Sequence, residues 1–404
     1  MRFILAWAAF AVSVYVGLYE YRQHWLAPVL HPICLHGDTS AARIFACTAE
    51  IDDNQTPAAA RRADLIQRAD DYESSNRARL AIGDYTAALA LGSKDAVVLR
   101  KRGDAYDDIG RQTAAIADYD RSIALAPGDK ETFNNRAYAE QRAGRTTRAI
   151  ADYNHAIAID KTYAVAARNL AELYHDTKDY ARALAGFDRV IGLAPDDALA
   201  WRDRGDLLDD MGRRNEAIAA YTKSVELDPS NSTAFNNRGY VYNELGKYTL
   251  AITDYDVAIR LDPDSASAWA NRGQAYENEG EDGRAVSDET KAIALDPKSY
   301  TDLDIRGYAY AGLHQYGRAI ADYDRAIRID ADYAEAYRDR GNAYDSENNE
   351  IRAVADLGKA VALEPDNKSY LHDRASIEDN MKRFADAIAD ETKVISLEPA
   401  AAEA

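Results

Sequence analysis

Apolar and polar positions along this chain fall into short blocks with helical spacing. In AIADYDRSIAL, 115–125, Ile116, Tyr119 and Ile123 recur on one face, a pattern that period-two strands do not give. The blocks repeat every 34 residues from about Arg62 to Ala401, which makes ten units. One column of the period is always small: Ala69, Gly103, Ala137, Ala171, Gly205, Gly239, Gly273, Gly307, Gly341 and Ala375. Twelve residues later alanine recurs in every unit, from Ala81 to Ala387. Two small columns on either side of a turn allow two antiparallel helices to approach closely.

Between these columns seven units place Gly or Asn where the first helix should stop, at Asn76, Gly110, Gly144, Gly212, Gly246, Gly280 and Asn348. Both residues tolerate the left-handed backbone that ends helices. Pro127, Pro195, Pro229, Pro263, Pro297, Pro365 and Pro399 share another column and are expected to end the second helix. Each unit therefore predicts helix, tight turn, helix. WANRGQAYENEGEDGRAVSDETKAIALDP, 269–297, with its aromatic start, small residue, Tyr276, Ala285 and final proline, resembles the tetratricopeptide repeat. NNRGYVYNELGKYTLAITDYDVAIRLDP, 236–263, resembles in particular the NRG- and DYD-rich repeats of bacterial members.

The resemblance covers roughly five-sixths of the chain and implies an all-α, right-handed superhelical solenoid with a concave groove lined mainly by first helices. It also implies protein or peptide binding. Departures occur where Lys161 and Ala331 replace the proline, Glu140 and Leu208 the first-helix tyrosine, and Glu289 and Leu357 the second-helix aromatic. Those units are expected to be looser or differently curved. Glu378 and Glu391 occupy both tyrosine-type columns of the last unit and suggest a solvent-facing end cap.

Before the array, residues 3–19 form a 17-residue apolar run that predicts an N-terminal hydrophobic helix, either a retained membrane anchor or a cleaved export signal. Arg2 ahead of it and a tyrosine-rich end beyond it favour an anchor with the repeats on the periplasmic side; cleavage would give an exported soluble form. The expected organisation is a targeting segment at 1–22, a leading segment with a degenerate half-repeat at 23–61, ten repeats at 62–401 and a tail at 402–404. The two cysteines, Cys34 and Cys47, flank a turn-like stretch and are either a disulfide stapling a cap onto the first hairpin or two reduced thiols.

The formal net charge of -19 argues against nucleic acid and favours a basic peptide or protein face. Arginine precedes the small column in nine units and aspartate follows sixteen residues later in eight, as in Arg102 and Asp118, Arg238 and Asp254, and Arg306 and Asp322. A basic ladder could bind carboxylates in the groove. Pairing inside each unit is the simpler account, because the unit with Leu170 in place of arginine also has Gly186 in place of aspartate. Such pairs, if exposed, contribute only ~0 to 1 kcal/mol each.

Two residues before the small column stand Asn135, Asn169, Asn237 and Asn271, with Asp203, Asp339 and Asp373 in three further units; Lys101 and Ile305 interrupt the row. By analogy with the family this column lines the groove and resembles the asparagine ladder with which some members grip a peptide backbone. An ordinary polar helix face is the alternative. DAYDD, 104–108, and DLLDD, 206–210, would attract a basic segment or a cation, or form a solvated acidic face. His24, His31, Cys34, His36 and Cys47 match no strong metal spacing, and the sequence has no phosphate loop, nucleophile elbow or two-histidine metal helix. The expectation is a non-enzymatic scaffold at the membrane, with neither cofactor nor metal, holding a protein or extended peptide. The alternative is an accessory subunit with metal or redox chemistry in the Cys/His segment.

Overall fold

A computed structural model describes residues 33–36, 39–52, 56–92 and 94–397. All regular elements among them are helices, and the chain divides into two compact units between Pro195 and Asp196. The first unit opens with α1 (Ser40–Ile51). Four hairpins follow: α2 (Ala58–Ser74) with α3 (Ala78–Leu91), α4 (Ala96–Asp108) with α5 (Gln112–Leu125), α6 (Lys130–Arg142) with α7 (Thr146–Ile159), and α8 (Ala164–Asp176) with α9 (Tyr180–Leu193). The second unit holds six: α10 (Ala198–Asp210) with α11 (Arg214–Leu227), α12 (Ser232–Glu244) with α13 (Tyr248–Leu261), α14 (Ala266–Asn278) with α15 (Asp282–Leu295), α16 (Tyr300–Gly312) with α17 (Tyr316–Ile329), α18 (Ala334–Ser346) with α19 (Glu350–Leu363), and α20 (Lys368–Asn380) with α21 (Phe384–Ser396).

Side-chain caps start many first helices: Asp95, Asp129, Asp197, Asn231, Ser265, Ser299 and Asn367 each accept a hydrogen bond from the first turn. The turn to the second helix is left-handed in all ten hairpins, including Lys178, His314 and Lys382 at φ 60°, 59° and 61°. Hydrogen bonds closing back over the turn, such as Arg111 N–H to the Tyr106 carbonyl at 2.8 Å, hold this shape whatever the side chain. The expected loosening at Lys161 and Ala331 does not occur. α7 and α17 stop at Ile159 and Ile329, in register with the proline-bearing units. There the carboxylates of Asp160 and Asp330 accept from the backbone N–H two residues on, as Asp228 does ahead of Pro229.

Ring packing explains the small columns. A Cβ on Gly103, Gly205 or Gly307 would lie 2.6 Å from the ring of Tyr119, Tyr221 or Tyr323, each buried between helices. The facing alanine column is buried throughout. In the tyrosine-type columns Glu140 and Glu378 are also buried, where arginines meet them: Arg145 at 3.1 Å and Arg383 at 3.5 Å. Glu378 thus corrects the expected solvent-facing cap. The last hairpin instead leaves Phe384, Ile388 and Ile395 exposed around an open cavity of about 650 Å³, with Glu391 paired to His372 at 2.7 Å.

At the other end, Cys34 and Cys47 are joined by a disulfide and buried, and α1 packs on α2 through the Arg43–Asp71 ion pair. The expected localisation is corrected: no helix among the described residues is long and apolar enough to cross a membrane, so a single anchoring N-terminal helix with periplasmic repeats is not supported. The longest described helix, α2, has 17 residues and carries Arg61, Arg62, Asp64, Arg68, Asp70 and Asp71, whereas a span needs about 20 mainly apolar ones. Residues 3–19, which prompted that expectation, lie outside the described residues, as do His24 and His31.

Candidate functional site

The arginine ladder is built into the helix packing. Arg102 meets Asp118 with two bonds of 2.6 and 2.8 Å, Arg238 meets Asp254 with two of 2.7 Å, and Arg306 meets Asp322 at 2.8 and 2.7 Å. Five further forks, from Arg68, Arg136, Arg272, Arg340 and Arg374, repeat this geometry. The third nitrogen reaches back to the preceding hairpin, to Thr222 at 3.1 Å from Arg238 and to Asp120 at 2.7 Å from Arg136. Seven of these eight arginines therefore tie their own hairpin and join it to the element before; Arg374, which faces Gly358 there, bonds only Asp390. These pairs are not the exposed kind: seven of the eight paired aspartates are buried, Asp356 is partly so, and the guanidinium groups are largely covered. No carboxylate of a ligand is needed to satisfy them.

The asparagine column forms a different structure, which occurs once in each compact unit. In the first, the Tyr119 hydroxyl and Asn135 Nδ2 both donate to Asp104 Oδ1, at 2.8 Å each. Asn134 donates to Asn135 Oδ1 at 3.1 Å, and Asn169 donates to Asn134 Oδ1 at 3.0 Å. In the second unit Tyr221 and Asn237 donate to Asp206 Oδ1 at 2.7 and 2.9 Å, Asn236 to Asn237 at 3.3 Å, and Asn271 to Asn236 at 3.0 Å. A chain of amides thus crosses three consecutive first helices and ends on the hydroxyl of a core tyrosine. Lys101, an apparent interruption, replaces the first amide: its Nζ bonds both oxygens of Asp70, which also accepts from Tyr85.

The acidic members of the column sit beside arginines. Asp203 is buried against Arg202 at 2.6 Å, while Arg338 bonds Asp339 at 3.2 Å and Asp373 at 2.7 Å. The DAYDD and DLLDD segments are not a merely solvated face. Asp104 and Asp206 anchor the amide chains, and Asp107 is buried with Arg142 of the next hairpin at 3.0 Å. Burial raises the pKa of Asp104, Asp107 and Asp209. Asp206, Asp209, Asn237, Asn271 and Tyr240 line one cavity of about 400 Å³.

Three exposed rings on this face escaped the sequence reading. Tyr138, Tyr240 and Tyr308 stand three residues after the asparagine column and are 44–49 % exposed. The signal was present, because the same column elsewhere holds Asp104, Asp206, Gln274 and Asn342, so aromatic residues there do not serve the core pattern. Amide groups with two donors each, acids and open rings on one row of helices suit the binding of a polypeptide backbone and its side chains.

Family models described as TPR repeat or tetratricopeptide repeat match residues 66–130, 141–207, 205–246, 239–280, 266–299 and 307–345. Among solved structures, YrrB, described as a TPR protein with an unusual peptide-binding site, is 24% identical, with 46% of this chain and 96% of that chain covered and a TM-score of 0.41. A tetratricopeptide repeat protein from Parabacteroides merdae is 18% identical, covering 61% and 98%, with a TM-score of 0.49. The APC/C hetero-tetramer Cut9-Hcn1 is 14% identical, covering 93% and 94%, with a TM-score of 0.49. No curated protein matches the sequence significantly.

Proposed function

Since this chain belongs to the tetratricopeptide-repeat family, we propose that it is a non-enzymatic scaffold whose first helices line the groove of a right-handed superhelix and hold an extended segment of a partner protein. The observation that carries this reading is the pair of amide chains, Asn134–Asn135–Asn169 and Asn236–Asn237–Asn271. The partly exposed carboxamides of Asn135, Asn169, Asn237 and Asn271 each have two N–H hydrogens and donate one within their chain, so the second can meet a backbone carbonyl of the partner. Fixing the amides to Asp104 and Asp206 beforehand reduces the side-chain entropy lost on binding. The exposed tyrosines alongside supply apolar area, and Asp206 and Asp209 favour a basic segment.

Photo-crosslinking side chains placed singly at Tyr138, Tyr240 and Leu250 test the reading in cells. Leu250 is equally exposed but belongs to a second helix, α13. The partner should be captured from the two tyrosine positions and not from Leu250. Capture from Leu250 alone would place the working surface on the second helices.

A further inference from the structure

The amide chains show what a bridge between neighbouring first helices requires: one side must donate. Asn169 donates to Asn134 and Asn271 to Asn236, each 35 residues apart, and Arg338 donates to Asp373 with the same separation. Asp304 and Asp339 occupy the equivalent pair of positions on α16 and α18. While both are ionised neither can donate, and a proton taken up by Asp304 is then the one donor the pair itself can provide. Asp304 is only 8 % exposed, its Oδ2 accepts from Tyr333 at 3.2 Å, and its Oδ1 is buried without a hydrogen-bond partner. Both aspartates wall a cavity of about 380 Å³ open to the first-helix face, with the exposed ring of Tyr308 at its edge.

We propose that this cavity is a specificity pocket for a cationic side chain, the ammonium of a lysine or the guanidinium of an arginine, carried by the segment that lies along the first helices. The cation takes the place of a proton as the donor to the ionised Asp304–Asp339 pair. The proposal rests on the scaffold reading above and adds to it a side-chain preference at one place.

The surroundings agree in charge. Glu277 on α14 and Glu335 on α18 also line the cavity, and the one basic group facing it, Arg338, is bonded to both Asp339 and Asp373. Burial, with the charge of Asp339 next, pushes Asp304 up to about 8. Asp339 is pushed up to about 6, mainly by burial, with Glu335 and Asp373 adding to the rise and Arg338 opposing it. An incoming cation would relieve that repulsion and displace the proton from Asp304. Tyr308, which lines the same cavity, adds an aromatic side chain beside that charge. Among the described residues no group of three or more His, Cys, Asp or Glu side chains is placed to hold a metal ion, which favours an organic cation with directed N–H groups.

Three blocked heptapeptides of glycine and serine, differing only in a central Lys, Arg or Gln, test this on the full chain at 150 mM salt. The Lys or Arg peptide should bind about tenfold or more tightly than the Gln peptide. Asp304→Asn combined with Asp339→Asn should abolish that preference. The variant recreates an amide pair of the kind at Asn134 and Asn169, so its thermal midpoint should not fall. Equal binding of all three peptides would overturn the pocket and leave the scaffold reading standing. A cation preference that survives in the double variant would also overturn the pocket, and assign the effect to the overall acidic charge. Binding of none of the peptides would overturn both.

Discussion

Glu289 is the sharpest energetic anomaly in the array. It stands in the column occupied by Tyr119, Tyr221, Tyr255 and Tyr323, is 0 % exposed, and neither carboxyl oxygen has a hydrogen-bond partner. Burial is the main cause that pushes its pKa up to about 10, from 4.5, with Asp302 and Asp288 adding repulsion. Because the folded value is the higher one, Glu289 favours folding most below pH 4.5, and that contribution is lost as pH rises toward 10. At pH 7 the loss amounts to roughly 3 kcal/mol, at about 1.4 kcal/mol per pH unit. Glu289→Gln removes the charge, and Glu289→Tyr also refills the column over Gly273, as Tyr323 does over Gly307. Hydrogen exchange of the α14 and α15 amides reports opening of this hairpin alone. Both variants should protect those amides more than the parent, by a margin that grows about 2 to 3 kcal/mol between pH 6 and pH 8. A margin that stays flat over that range would refute the reasoning.

Arg238→Met strands the buried carboxylate of Asp254 and should destabilise the α12/α13 hairpin by about 3 kcal/mol, read by urea unfolding, whereas breaking the exposed Lys223–Glu226 pair with Lys223→Ala should be silent. Lys178→Gly should stabilise the α8/α9 hairpin by about 0.5 to 1 kcal/mol in the same assay, because glycine accepts φ 60° without the side-chain penalty, while Lys178→Ala should give no gain. Deletion of residues 232–299 removes hairpins α12/α13 and α14/α15 whole and should leave a folded, shorter chain by circular dichroism, since each hairpin packs on its sequence neighbours.

The helix pairs were legible because their determinants are local and repeated. Gly103 and Ala115 state at sequence level how closely helices approach, and ten copies make the statement unambiguous. The left-handed turns at Lys178, His314 and Lys382 were not legible, because there the conformation comes from carbonyls closing over the turn and not from the side chain. The prolines suggested a helix stop that does not depend on them: in the units that lack one, Asp160 and Asp330 close the turn by accepting from the backbone N–H two residues on. For the candidate site, the column of Asn135, Asn169, Asn237 and Asn271 was visible, but its attachment to Tyr119 and Tyr221 was not. Those bonds depend on which hydroxyl emerges between two first helices, a consequence of packing. Glu378 looked like a surface acid and is buried because Arg383 lies within reach.

The central claim is that the amide rows of the first helices hold the partner, and it is tested most directly by one dissociation constant. The crosslinked partner segment is titrated into the parent chain and into a variant with Asn135, Asn169, Asn237 and Asn271 all changed to alanine. Alanine keeps the helices, and Asp104 and Asp206 keep their tyrosine hydroxyls. The account predicts binding weaker by roughly two to six kcal/mol, about 0.5 to 1.5 per amide. Equal affinity of parent and variant would contradict it.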